Sequence, residues 1–556
     1  MPAGELPLDA VHWLLALVPI LVLLSLLIVF RWDPQEAGPI AMFVAALIAV
    51  FIYQAPPELL AVAAGKGIWD AIFVLYVVWT ALLLYHVIDQ AGGFAALHQG
   101  IQHYTENELF IVLAFGWVFA SFLQGIAGFG TPIAVVAPLL LALGVRPIHA
   151  VSIPLIGHAW ANLYGTIGVG WLATEQVITI QEPLEAAFQT GLLLWIPNVL
   201  GAVAIAWLYG RTPAVRHAWP MIVIISILHG GVQLGVTLVD PVISAFLAGT
   251  VGLLALIPLA KLDRYAEPAE GIDNRPAMSE GEADETDGEE VEEPEEEGEP
   301  PMGLGMSLLP YVVLTIVAAG ALLIPPLEAA LEQIEIGPPF PEVTTGYGIE
   351  AEAEEAYQPF APLTHPGTFL LVSTIIGWAV YRARGYYDEW GQEEGREGIW
   401  SGLADDAVPA SVAIVAFLVM GLFMEDSGQT LVLAIGTGEV TPPTVYAFAS
   451  GWIGMLGAFM TSSNTSSNII FAPLQDATAE TMDELVQATI IAGQHAGGAV
   501  GNVIAPANVV LGTSSIGAIG REGEILKLTI VWAVLVMAVV GVATIVLNGL
   551  TLVGGG

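Results

Sequence analysis

The 556-residue sequence predicts an all-α polytopic membrane protein, with about 12 transmembrane helices plus two re-entrant hairpins in an inverted-topology repeat. Three observations carry this expectation. Charged residues make up only 12% of the chain and mean hydropathy is +0.73, with apolar runs of spanning length recurring from end to end. Two apolar stretches, Gly116 to Leu139 and Gly451 to Leu474, are interrupted mid-way by glycine, proline or a polar run. Both open with Gly-Trp and close with Ala-Pro-Leu at the same spacing of 21 residues, so the second copy follows the first at an offset of 335.

The first apolar run, Val11 to Phe30, holds about 20 residues without an Asp, Glu, Lys or Arg, enough for ~30 Å of hydrocarbon at ~1.5 Å per residue. It is too long, and too poorly flanked by basic residues, for a signal peptide. Further spans fall at about 38–54, 67–89, 147–172, 185–209, 218–239 and 241–260, then at 305–325, 364–381, 401–424, 486–517 and 526–548. The two broken stretches occupy about 109–144 and 443–474. A lipid-facing helix cannot be broken in this way, because the freed backbone N–H and C=O groups would find no partner; the break must be buried in protein or line a polar cavity. Gly157, Gly165, Gly168 and Gly170 predict a further interruption in 147–172, and Gly497, Gly498, Gly501 and Pro506 one in 486–517. The 335 offset also carries Gly67 and Asp70 onto Gly402 and Asp405, each pair opening a span that leads to a hairpin unit.

Net charge is −41, and seventeen Asp and Glu crowd the stretch from Asp263 to Glu299. That run predicts an unstructured acidic linker, 263–303, between an N-terminal repeat (1–262) and a C-terminal one (304–556). So much like charge is tolerable where the Debye length falls to ~3 Å near 1 M salt, which reads as a halophile's protein. If both broken stretches re-enter the side they left, every Lys and Arg except Lys66 faces the cytoplasm. This orientation puts the linker inside, the Glu-rich loop from about 327 to 361 outside, and both termini outside a plasma membrane. The acidic run Asp476 to Glu484 then forms an outer loop after the second hairpin.

The hairpin tips hold the candidate site. At the first, Gly128, Phe129 and Gly130 lead into Thr131-Pro132, a cap-capable hydroxyl before proline at a helix start. At the second, Ser463, Asn464, Thr465, Ser466, Ser467 and Asn468 supply hydroxyls, amides and N-cap candidates. Two half-helix N-termini facing one another would offer free N–H groups and positive dipole ends, which suit a small carboxylate. His158 and His495 each follow a hairpin and are candidates for a proton relay, although a structural hydrogen bond is the plainer role. Oxygens near Ser463 and Asn468 could hold a transient Na+. Asp70, Asp405, Asp406, Glu425 and Asp426 sit at estimated span ends, where interfacial solvation explains them. Cysteine is absent, and no HExxH, P-loop, nucleophile elbow or basic patch occurs. The sequence therefore predicts no enzyme, no cofactor, no resident metal and no nucleic-acid partner.

FLQGIAGFGTPIAVVAPLL (Phe122 to Leu140) resembles the first signature of the lactate permease family, whose usual form reads FLEGAAGFGxP. FMTSSNTSSNIIFAPLQ (Phe459 to Gln475) resembles its second signature, and Gly497 to Glu522 its third. The resemblance implies a cation-coupled importer of lactate, glycolate or a related 2-hydroxy acid, driven by H+ or Na+, with the tips and Gln124 as substrate site. Gln124 stands where the family has Glu, Asn502 where it has Lys, and Gly157-His158 where it has Asn-Thr. An acid and a base lost together imply a missing ion pair or altered coupling, which makes Asn502 a coupling candidate beside the histidines. Competing readings are a sodium-coupled carrier of another organic anion, a non-translocating membrane sensor on the same fold, and an intramembrane enzyme. A homodimer is left open.

Overall fold

A computed structural model describes the chain except for residues 1–5, 31, 95, 97–104, 129, 270, 273, 279–301, 323, 352, 390–397, 519 and 555–556. Phe129, Arg31, Arg396 and Glu352 therefore lie outside the described residues. The protein is mostly helical, and the described residues include eight helices long and apolar enough to cross a membrane. In chain order they begin with α1 (Ala10–Leu24, extended by a wide turn Ser25–Val29), α2 (Pro34–Phe51) and α3 (Pro57–Asp89). The first hairpin has arms α4 (Glu108–Ile126) and α5 (Thr131–Ala142). A broken crossing follows, α6 (Pro147–Gly157) and α7 (Gly165–Val177), then α8 (183–209), α9 (212–237) and α10 (Ser244–Ala260). The second half comprises α11 (Leu309–Leu322), α12 (Pro366–Ala383), α13 (Ile399–Asp426) and α14 (Gln429–Val440). Its hairpin arms are α15 (Pro443–Thr461) and α16 (Asn464–Thr481). A second broken crossing, α17 (Gln487–Gly501) and α18 (Pro506–Ser515), leads to α19 (Glu522–Gly554).

Proline sets most of the starts. Pro34, Pro57, Pro147, Pro183, Pro366, Pro443 and Pro506 each occupy the first helical position, where the missing N–H is no loss and φ is already helical. At α1 the cap is a side chain: Asp9 Oδ1 accepts from the N–H of Val11 at 2.8 Å and of His12 at 3.1 Å.

The two hairpin units are built on the same contact. Gly157 lies so close to α4 that a methyl group there would sit 1.9 Å from the Gly116 carbonyl oxygen. In the other half, a methyl on Gly497 would sit 1.8 Å from the Gly451 carbonyl oxygen. Each broken crossing thus packs backbone to backbone on the first arm of its hairpin, at the Gly of the repeated Gly-Trp. Both interruptions fall in the predicted segments: Thr166, Ile167 and Gly168 have left-handed φ (50°, 49° and 71°), and residues 502–505 separate α17 from α18. The two halves of the chain are interleaved rather than side by side. α13 packs on α2 and α3, and α12 on α3, while the hairpins and broken crossings of both halves gather with α8, α10 and α19.

Several boundaries differ from the sequence expectation. α3 starts ten residues earlier than 67, and α8 joins α9 through a kink at Gly210–Arg211 rather than a loop. α14 was not expected. The acidic run from Asp476 is no loop: α16 continues to Thr481, held where Gln487 Nε2 donates to Asp476 Oδ1 at 2.5 Å. The start of the linker is also ordered, since Tyr265 is buried, its hydroxyl accepts the Met221 N–H at 2.9 Å, and the Arg146 N–H bonds the Ala277 carbonyl at 2.8 Å. Arg275 pairs with Glu108 there.

The Glu-rich loop folds over the opposite face, with a two-strand ribbon, β1 (Val343–Thr344) and β2 (Glu350–Ala351). Its contacts hold Lys66, the cation expected to break the charge rule. Lys66 is 5% exposed and pairs with Glu354 at 3.0 Å, 4.9 Å above the Tyr357 ring. One turn on, Asp70 is fully buried rather than solvated at an interface, and accepts the Tyr357 hydroxyl at 2.8 Å. Burial, reinforced by the neighbouring Asp70 carboxyl, holds the Tyr357 phenol above the ordinary tyrosine range, so it stays a donor.

Candidate functional site

Both tips are tied to the neighbouring breaks. At the first, the Gly128 N–H donates to Thr166 Oγ1 at 2.8 Å, and Gln124 is folded inward against Gly128 and Gly165. The helix cap falls on Gly130 (φ +87°), not on Thr131, which is the first helical residue with Pro132 behind it. Gly130 faces α18: a side chain there would meet Leu511 at 2.1 Å. At the second tip, Ser462 takes a left-handed φ of 54° and accepts the Ala507 N–H at 3.3 Å, while Ser463 caps α16 by accepting the Ser466 N–H at 3.1 Å.

That cap leaves the N–H groups of Asn464 and Thr465 without a protein acceptor among the described residues. The Asn464 side chain is buried with both amide atoms unpartnered, its Oδ1 pressed toward Gly498. Ser467 lies on the same side, also toward Gly498, and with Asn468 is tied into the protein. Ser467 Oγ donates to the Gly454 carbonyl at 2.8 Å, and Gln494 Nε2 reaches Ser467 Oγ at 3.2 Å and Asn468 Oδ1 at 3.4 Å. Asn468 Nδ2 donates to the Gly170 carbonyl at 3.4 Å, and Gln475 ties Gln494 to the Ser450 carbonyl. These two glutamines were not singled out in the sequence, because a lone amide in an apolar run carries no spacing signal.

A cleft of about 380 Å³ reaches the second tip. Asp33, Asp405 and Asp406 stand at its mouth, and Ser462, Ser463, Ser466 and Asn508 line its interior. Leu511 also lines it, so the first tip lies behind that side chain, and no hydrogen bond joins the two tips among the described residues. At the mouth, His86 Nε2 and Asp406 Oδ2 are 2.9 Å apart.

The two broken crossings meet at asparagines. Asn502 Nδ2 donates to Asn162 Oδ1 at 3.1 Å, and Asn162 Nδ2 donates to the Ala499 carbonyl at 3.1 Å. Asn502 is thus engaged with asparagine rather than with Gln124. Neither coupling histidine is idle. His495 has both ring nitrogens on hydroxyls, Thr174 at 2.9 Å and Thr190 at 3.2 Å, and His158 Nδ1 bonds the Pro154 carbonyl at 2.5 Å. Ser463 and Asn468, named as sodium ligands, have their oxygens engaged with different partners. No cluster of three or more acidic, His or Cys side chains able to hold a metal ion occurs among the described residues.

The profile of the L-lactate permease family matches residues 12–551. The glycolate permease GlcA of Escherichia coli is 26% identical, aligned over 98% of this chain and 96% of its own. The L-lactate permease of Halalkalibacterium halodurans is 26% identical over 97% of each chain, and that of Escherichia coli 25% identical over 98% and 96%. Among solved structures, the Alcanivorax borkumensis YdaH transporter aligns over 87% of each chain at 15% identity with a TM-score of 0.42.

Proposed function

This chain belongs to the L-lactate permease family, and from that premise we propose that it imports a small 2-hydroxy monocarboxylate, lactate or glycolate, coupled to H+ or Na+. It is a multi-pass membrane transporter, not an enzyme. The observation that supports this reading best is the start of α16. Two orphan N–H groups, at Asn464 and Thr465, and the unpartnered Asn464 amide gather at the positive end of a helix beside the cleft. Such a site takes a carboxylate without any Lys or Arg, and none lines the cleft among the described residues. The hydroxyls of Ser462 and Ser466 supply further donors.

The cleft lies beside His86, at the end of α3 remote from Lys66 and the Glu-rich loop, and the positive-inside rule makes that end cytoplasmic. Counting each broken pair as one crossing gives twelve crossings, extracellular termini and an inward-open site in the plasma membrane. On the opposite face the Tyr357–Asp70 and Lys66–Glu354 contacts tie the Glu-rich loop to α3. Alternating access then requires the hairpin assembly to move against the α2–α3–α13 group. The test is uptake of labelled lactate and glycolate by proteoliposomes, with proton and sodium gradients imposed separately. Accumulation under one gradient and not the other identifies the coupling ion. Exchange of neither acid, in protein that is folded and inserted, sinks the proposal.

A further inference from the structure

Three asparagines at the crossing form a chain of hydrogen bonds whose direction is fixed at both ends. The Ala499 carbonyl can only accept, so the Asn162 group facing it at 3.1 Å is Nδ2. Asn162 then turns Oδ1 toward Asn502, which must donate Nδ2 to it at 3.1 Å. Asn502 in turn presents Oδ1 to Asn508, whose Nδ2 donates to it at 2.5 Å. The far end is set independently, because the same Asn508 Nδ2 also donates to the Asn502 backbone carbonyl at 3.0 Å. Two carbonyls that cannot donate therefore settle all three amide orientations.

The consequence falls on the last amide oxygen. Asn508 Oδ1 takes no partner among the described residues, and Asn508 lines the same cleft as Ser463 and Ser466. It is an acceptor, held in place, that cannot rotate to offer its NH₂ without breaking two bonds. Around Asn508 the cleft is lined by hydroxyls, on Thr461, Ser462, Ser463 and Ser466, that can donate as well as accept, while the Gln35 amide belongs to the helix start beside Asp33 and has no such bonds fixing its orientation among the described residues. A carboxylate has nothing to donate to Asn508, whereas the neighbouring hydroxyl of a 2-hydroxy acid does. We propose that Asn508 is the specificity residue that reads the substrate's 2-hydroxyl, with Asn502 and Asn162 as the positioning residues that keep its oxygen toward the cleft.

This inference rests on the transport reading above and deepens it, so the experiment separates the two. Wild-type protein, Asn508→Ala and Asn162→Ala are reconstituted, and exchange of lactate is compared with exchange of propionate, which differs only in lacking the hydroxyl. Wild type should prefer lactate. Asn508→Ala should lose about tenfold in kcat/KM for lactate and much less for propionate, bringing the ratio near one. Asn162→Ala removes the near anchor while Asn508 keeps its bond to the Asn502 backbone carbonyl, so it should loosen Asn508 without reversing it and lose a smaller part of the same preference. Unchanged preference in both variants overturns the proposal. An equal loss for both acids in Asn508→Ala also overturns it, since Asn508 would then serve the carboxylate or the fold. Absence of exchange of either acid in the wild type removes the transport reading itself, and this inference with it.

Discussion

At the scale of single residues, the second tip is the more exposed of the two to test. Asn464→Ala removes an amide with no partner among the described residues, so its folding cost is small, while a carboxylate bound at the start of α16 would lose a charge-assisted hydrogen bond. Each such bond contributes about 1.5–3 kcal/mol, so KM for lactate or glycolate uptake should rise roughly ten- to a hundredfold, with unchanged thermal stability in detergent. A fall in melting temperature without a KM change would assign Asn464 to packing instead. Gly130→Val is expected to do worse, for a different reason. Its φ of +87° disfavours any β-branched residue, and a side chain there meets Leu511 at 2.1 Å, pushing Leu511 into the cleft. Uptake should vanish while the protein still reaches the membrane, which surface labelling of whole cells can check. For His495 the geometry favours the plainer of its two expected roles: both nitrogens bond hydroxyls on different helices, so His495→Ala should lower stability and leave the coupling ratio alone, and a changed coupling ratio would make it a relay instead.

At the scale of elements, the glycine seams give a paired prediction. Gly157→Ala and Gly497→Ala each place a methyl within 2 Å of a carbonyl oxygen, on rigid backbone, in corresponding positions of the two halves. Both should cause similar large losses of folded protein, measured by size-exclusion profiles after solubilisation; a large loss from one alone would break the equivalence of the repeats. These hairpins were legible in the sequence because Gly-Trp and Ala-Pro-Leu recur at one spacing, and because breaks in apolar runs have few physical explanations. The asparagine chain was not legible. Asn162 was not noticed beside the glycines, and its meaning depends on Asn502 lying 340 residues away and on Ala499 facing it. α14 and the fold of the Glu-rich loop are not legible in the sequence because long-range contacts hold them. The Trp13 indole bonds the Leu433 carbonyl at 3.2 Å, and Glu354 and Tyr357 are organised by Lys66 and Asp70. Tyr357→Phe would leave neither oxygen of Asp70 partnered, so it should destabilise the protein by about 1–3 kcal/mol, read as a lower melting temperature.

At the scale of the whole molecule, a net charge of −41 sits on a chain whose crossings are nearly uncharged, so its repulsion is concentrated on the two faces. Screening should relieve it, and melting temperature in detergent should rise between about 0.1 M and 1 M salt, as the Debye length falls from ~10 to ~3 Å. The acidic mouth formed by Asp33, Asp405 and Asp406 has a related effect: it repels an anion, which favours release over rebinding on that face. The linker itself divides into two parts with different expected behaviour. Residues 263–278 are built into the fold through Tyr265, Arg275 and Ala277, which clamp the start of α4 and the turn before α6. Residues 279–301 are almost wholly acidic, glycine or proline, and a run so poor in apolar groups has nothing with which to form a core. Replacing 279–301 by an equally long Gly/Ser segment should therefore leave uptake intact, and a protease site placed there should be cut only from the cytoplasmic side. Extending the replacement back to 263 should abolish it, because Tyr265 no longer accepts the Met221 N–H, Glu108 keeps the Tyr209 hydroxyl but loses Arg275, and the first hairpin loses its anchor. Loss of uptake from the shorter replacement alone would mean that the acidic run takes part in transport, and cleavage of it from outside intact cells would reverse the whole orientation.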